Sequence, residues 1–123
     1  MSFTFTGIDH VQLAAPKGCE EQAREFFGNK LGLPEIPKPA NLQGRGGCWF
    51  VCGKQEIHIG VQENFVPAKK AHPAFCVENI NEFRAHLEQA GVSIKEEPAI
   101  EGRTRFFVDD PFGNRIEFLE YEK

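Results

Sequence analysis

Three histidines and one glutamate stand at positions where they could hold a metal ion together. His10 and His72 each lie near the start of an apolar stretch, Gly-Ile-Asp-His10-Val-Gln-Leu and Lys-Ala-His72-Pro-Ala-Phe-Cys-Val. His58 and Glu117 each lie inside an alternating one, Gln-Glu56-Ile-His58-Ile and Arg115-Ile-Glu117-Phe-Leu. In an extended chain alternate side chains share a face, so Ile57 and Ile59 pack one way while His58 faces the other. Ile116 and Phe118 likewise leave Glu117 on the opposite face. Three imidazoles and a carboxylate on one concave sheet face suit Zn²⁺, Fe²⁺, Mn²⁺, Ni²⁺ or Co²⁺, with one or two positions open to a substrate. Any single His on a half-buried strand is more often a hydrogen-bonded core residue than a ligand. What favours a ligand set is that all four fall at matching places of a repeated pattern. His86, between Ala85 and Leu87 on a helical stretch, reads as a surface residue.

The elements that must position these residues occur twice. Each His-bearing strand, Thr6 to Ala14 and Ala71 to Val77, is followed by a helical pattern. Ala23, Phe26, Phe27 and Leu31 mark the buried face of the first helix, and Ile80, Phe83, Leu87 and Ala90 that of the second. Each helix ends at a glycine, Gly32 and Gly91, as a left-handed C-terminal cap requires. Three further extended pieces follow each helix. In the first half they are weak around Pro34 to Leu42, then clear at Gly47 to Cys52 and Glu56 to Gln62; in the second they are Ser93 to Glu96, Arg103 to Asp109 and Arg115 to Tyr121. The order is βαβββ, twice, with equivalent residues about 60 positions apart, the sign of an internal duplication whose halves must pack together. The repeat units run over about 6–62 and 71–121 of a single domain, joined by the linker Glu63 to Ala71. Asp109-Asp110-Pro111-Phe112-Gly113-Asn114 reads as the hairpin turn between the last two strands.

A chain of 123 residues is the size of one domain, so one function is sought. The net charge of −4 and the lack of a basic run beyond Lys69-Lys70 argue against nucleic acid as a partner. No stretch approaches the roughly 20 apolar residues that span a bilayer, and Met1 to His10 does not resemble a signal peptide. The expected location is the cytoplasm, with no membrane partner. Twelve Phe against one Tyr and one Trp point to aromatic layers packed for volume. Cys48 and Cys52 share a predicted strand, which places them about 13 Å apart and beyond disulfide reach. Together with Cys19 and Cys76 they are read as free, mostly buried thiols.

The paired units, the His opening each, the Asp110-Pro111-x-Gly113-Asn114 hairpin and the following Arg-Ile-Glu117-Phe resemble the vicinal-oxygen-chelate superfamily along almost the whole chain. That superfamily contains glyoxalase I, bleomycin-resistance proteins, extradiol dioxygenases and fosfomycin-resistance enzymes. The resemblance implies an α+β fold in which two βαβββ repeats form an incomplete barrel around a divalent ion, with His10, His58, His72 and Glu117 as ligands and Glu117 as the catalytic carboxylate. It also implies a small-molecule substrate whose two neighbouring oxygens chelate the metal, and a homodimer, sometimes built by exchange of units. Glyoxalase I usually has Glu or Gln where this chain has His58. Extradiol dioxygenases carry a Tyr upstream of the Glu, where this chain has Arg105, Phe106 and Phe107. Fosfomycin-resistance enzymes have a threonine at the position of Gln12.

Candidate substrate contacts are Gln12, Trp49, Arg103, Arg105 and Arg115. The arginines could bind a carboxylate or phosphate beside the metal, or be solvated strand-edge residues. Trp49 could stack on a flat substrate or belong to the core. Two functions follow: a metal-dependent enzyme of glyoxalase or dioxygenase type, or a metal-free protein that sequesters a small molecule as bleomycin-resistance proteins do. Ligands at repeat-equivalent places favour the enzyme.

Overall fold

The computed structural model describes residues 2–123. Backbone contacts divide the chain into two units, Met1–Glu63 and Asn64–Lys123.

In the first unit, β1 (His10–Ala15) leads into a helix that is α-helical over Glu20–Ala23 (α1) and π-helical over Arg24–Lys30. Cys19, Ala23, Phe26 and Phe27 are all buried, a spacing of four, three and one that lays a single apolar stripe on the sheet. The wider turn shows in the Leu31 N–H, which donates to the Phe26 carbonyl at 2.9 Å, five residues back. Gly32 ends the helix at φ 78°, as expected of its cap. The weak segment that follows gives a two-residue strand, β2 (Glu35–Ile36), and then a 3-10 turn over Ala40–Arg45, because its prolines remove ladder donors. β3 (Cys48–Cys52) and β4 (Gln55–Val61) form a hairpin, and the sheet order is β1-β4-β3-β2. β1 runs parallel to β4 and β3 antiparallel to it, so Gln12 and Trp49 both lie opposite His58. Phe50, Ile57 and Ile59 point to the other face and are buried with the helix stripe, Phe27 lying 5.7 Å from Phe50 between ring centroids.

The second unit repeats the plan with shorter pieces. β5 (Ala74–Cys76) precedes α2 (Ile80–Gln89), and β6 (Arg103–Asp109) pairs with β7 (Arg115–Tyr121) in a sheet of order β5-β7-β6. The extended piece expected at Ser93 to Glu96 is reduced to one bridge, Lys95 to Phe107, so this unit lacks a full fourth strand. Phe83 of α2 packs against Phe118 at 5.0 Å and Phe106 at 6.1 Å, completing an aromatic layer over the sheet. Burying each such ring contributes about 2–3 kcal/mol. Asn79 precedes α2 in a left-handed conformation, and the carboxylate of Glu120 accepts the Asn79 and Ile80 N–H groups at 3.1 Å each. Gly91 caps the end of α2 at φ 82°. The hairpin at 109–115 is held by the buried Asp110, which accepts from the N–H groups of Phe112 and Asn114 and from the Asn114 amide.

All four cysteines are free, but the expectation of mostly buried thiols holds for two of them. Cys19 and Cys48 are buried among the helix and sheet, and burial pushes the Cys48 thiol up to about 12. Cys52 is half-buried and Cys76 is exposed, because they fall at the end of β3 and on the open face of β5. No helix of the described residues is long and apolar enough to cross a membrane.

Candidate functional site

In the first unit, the parity of β1, β3 and β4 brings His10, Gln12, Trp49, Glu56 and His58 onto one sheet face. His58 is buried between two rings. The indole of Trp49 lies parallel to it at 3.7 Å and 2°, and the imidazole of His10 at 4.0 Å and 17°. Each imidazole has a carboxylate partner on one nitrogen. His58 Nε2 lies 2.9 Å from Glu56 Oε1, and His10 Nδ1 lies 2.8 Å from Asp9 Oδ2. With those nitrogens donating, His58 Nδ1 and His10 Nε2 are left with lone pairs, as in sites where a carboxylate orients a metal-binding histidine.

The second unit holds the other pair. Glu117 on β7 is buried, and its Oε1 lies 3.0 Å from His72 Nε2. His72 Nδ1 is 2.9 Å from the carbonyl oxygen of Lys70, which can only accept, so Nδ1 carries the hydrogen. Nε2 then faces a carboxylate oxygen with its lone pair, an arrangement that a proton or a metal cation between the two would satisfy. Arg105 stands 3.6 Å from the other carboxylate oxygen and donates to the Pro98 carbonyl at 2.7 Å. The ring of Phe107 supports the group, with His72 edge-on at 4.9 Å and the guanidinium groups of Arg105 and Arg115 at 5.4 and 4.1 Å.

Of the sequence-predicted residues, the fold brings His10, Gln12, Trp49 and His58 together in one unit and His72, Glu117, Arg105 and Arg115 in the other. Arg115 is also tied to Glu97 at 2.9 Å, and Arg103 lies apart, over the ring of Tyr121 at 4.8 Å. The donor chemistry fits a divalent cation, since it offers borderline nitrogens and one carboxylate with their outer partners in place. One feature of the geometry opposes the full set as it stands. Stacked rings hold their lone pairs in nearly parallel planes, so His10 and His58 would reach one ion at about 2 Å only if one ring turned out of the stack. In neither unit do three or more His, Cys, Asp or Glu side chains gather into a group able to hold an ion, among the described residues.

Sequence reasoning missed the orienting partners Asp9, Glu56 and the Lys70 carbonyl. The first two were signalled by their placement, one residue from His10 and two residues from His58 on the same strand face. It also missed a half-open cavity of about 210 Å³ in the first unit, bordered by Gln12, Trp49, Leu42 and Val61 together with Lys38 and Arg45. Lys38 and Arg45 lie in and just after the weakly patterned segment, where no periodicity marks a facing side.

The sequence model of the Glyoxalase/Bleomycin resistance protein/Dioxygenase superfamily matches residues 7–118. This chain belongs to that superfamily. Its fold is therefore the α+β vicinal-oxygen-chelate type, as the sequence motifs implied. Among solved structures it is similar to a glyoxalase family protein from Bacillus anthracis, with 57% identity, TM-score 0.96 and coverage of 99% of this chain and 100% of that one. A lactoylglutathione lyase from Agrobacterium tumefaciens shares the fold at 19% identity, TM-score 0.73 and coverage of 94% and 93%. So does a fosfomycin resistance protein from Listeria monocytogenes, at 18% identity, TM-score 0.71 and coverage of 98% and 94%. No curated protein matches the sequence significantly.

Proposed function

We propose that this superfamily member is a divalent-metal-dependent enzyme of glyoxalase or dioxygenase type, acting on a small substrate with two neighbouring oxygens. The observation that carries the reading is His72, whose Nδ1 is committed to the Lys70 carbonyl while Nε2 faces the Glu117 carboxylate at 3.0 Å. A nitrogen and an oxygen donor held this close, with the outer hydrogen bond on Nδ1 already made, can serve as neighbouring ligands of one ion. In this reading His10, His58, His72 and Glu117 are the ligands, and the ion is Zn²⁺, Ni²⁺, Fe²⁺, Mn²⁺ or Co²⁺. When bound, the ion would supply Lewis-acid polarisation of the substrate oxygens. Arg105 pairs with the second oxygen of Glu117 at 3.6 Å, and the Phe107 ring packs edge-on against His72. Glu117 is the acidic group placed to move a substrate proton.

The second reading, a metal-free small-molecule binder, is favoured by the Trp49, His58 and His10 stack, which uses the ring faces for packing, and by the cavity beside it. Metal analysis of untagged protein purified without chelators separates the two. A stoichiometric first-row ion, lost in His72→Ala with the fold retained by circular dichroism, supports the enzyme. No ion after incubation with excess metal leaves the binder.

We also propose a cytoplasmic homodimer. Each sheet leaves its first strand at an edge, β1 in one and β5 in the other, and an unpaired edge is a natural place for a second copy. Four free thiols suit a reducing compartment.

A further inference from the structure

Beside the aromatic stack, the first unit's cavity combines two cations with one flat ring. Lys38 Nζ lies on its wall, donating to the neutral Gly46 carbonyl and forming no ion pair among the described residues. Arg45 is exposed at its rim and forms no ion pair among the described residues. The nearby Glu20 carboxylate accepts the Gly47 N–H at 2.6 Å and forms no ion pair with either cation among the described residues. Two like charges at one concavity repel each other unless an anion joins them, and the concave walls focus their field.

The lining also includes an aromatic and apolar surface. His58 covers one side of the Trp49 indole, and Leu42 and Val61 extend the surface. The Gln12 amide lies against Gly60, where an added Cβ would come within 2.3 Å of its nitrogen, so the missing side chain leaves that amide room at the cavity. At about 210 Å³ the space falls below the roughly 300–1,000 Å³ of drug-sized pockets, so it takes a small ligand.

We propose that this cavity binds a small organic anion, a carboxylate on a flat unsaturated body, with Lys38 and Arg45 on the carboxylate, the Gln12 amide beside it and Trp49 supporting the body. The assignment names the substrate class of the proposed enzyme and rests on that reading in placing the anion next to His58. Anion binding itself requires no metal.

Trp49 is the one Trp of the chain, so its emission reads the cavity. In chelator-treated protein, benzoate is expected to change that emission saturably, and benzamide, of the same shape without the charge, to bind about tenfold more weakly. Lys38→Met and Arg45→Met should each weaken benzoate by about tenfold and leave benzamide unchanged. Lys54→Met, an exposed lysine at the β3–β4 turn with the same change in net charge, should alter neither. Equal affinity for benzoate and benzamide, full benzoate affinity in the Lys38/Arg45 double variant, or no saturable response to millimolar benzoate by fluorescence and calorimetry each overturns the assignment. Metal uptake measured on the same preparation keeps the two ideas apart. Benzoate bound by protein that takes up no metal retains the anion site and removes the enzyme, and metal uptake without benzoate binding does the reverse.

Discussion

Each candidate histidine is oriented by an oxygen acceptor: Asp9 for His10, Glu56 for His58 and the Lys70 carbonyl for His72. Such partners fix which nitrogen holds the lone pair and so set affinity along with the ligands themselves. Glu117 is the most informative residue to change because it is buried, with one oxygen 3.0 Å from His72 and the other 3.6 Å from Arg105. Glu117→Gln keeps the shape but removes the charge facing His72 and Arg105, so metal affinity should fall by about 10- to 100-fold or more in a competition titration. The metal-free protein should also lose about 1–3 kcal/mol, because Arg105 is mostly buried and would lack its anion. Wild-type affinity in Glu117→Gln would remove the carboxylate from the ligand set.

At the scale of elements, two local devices hold the site strands in place. Gly47, just before β3, has φ 84°, and a Cβ there would lie 2.0 Å from the Ile59 carbonyl oxygen of the neighbouring strand. Gly47→Ala should therefore destabilise by about 3 kcal/mol or more in urea denaturation, with strain and backbone clash acting together. Gly53 in the β3–β4 turn also has positive φ but open space around it, so Gly53→Ala should cost only about 1–2 kcal/mol. The second device is Glu120 at the start of α2. Its pKa is held below the ordinary 4.5, chiefly by the Ile80 N–H and then by that of Asn79. A depressed carboxylate contributes stability that is present above the unfolded value and lost as pH falls through the folded one. The melting temperature of wild type should exceed that of Glu120→Gln at neutral pH, and the gap should close on acidification below about pH 4.5. A gap independent of pH would mean that the charge is not what holds the helix start.

For the whole molecule, each unit carries its own aromatic layer, Phe26, Phe27 and Phe50 in one and Phe83, Phe106 and Phe118 in the other. Each also contributes one pair of candidate ligands and leaves a strand edge free in its own sheet. A chain built this way is expected to pair with a second copy, and light scattering at micromolar concentration should give twice the 13.9 kDa chain mass. A monomer mass under those conditions would end the homodimer proposal.

Periodicity alone determined much of this architecture. Alternation in Gln55–Val61 and Arg115–Tyr121 assigned the faces of His58 and Glu117, because a strand has no other way to bury Ile57, Ile59, Ile116 and Phe118. Helix stripes with glycine ends placed both helices, since the left-handed cap at Gly32 and Gly91 is a backbone requirement that few other residues meet. Pattern was silent where no local rule applied. Pro34 to Leu42 gave a short strand and a 3-10 turn rather than a full strand, and Ser93 to Glu96 kept one bridge, because pairing there depends on partners distant in sequence. Whether an imidazole stacks, ligates or meets a carbonyl is likewise decided by strand register, which set Trp49 against His58 and Ala74 against Glu117. The cavity cations Lys38 and Arg45 belong to the same class. Only tertiary structure brought them to one cavity, because irregular segments carry no period from which a facing side can be read.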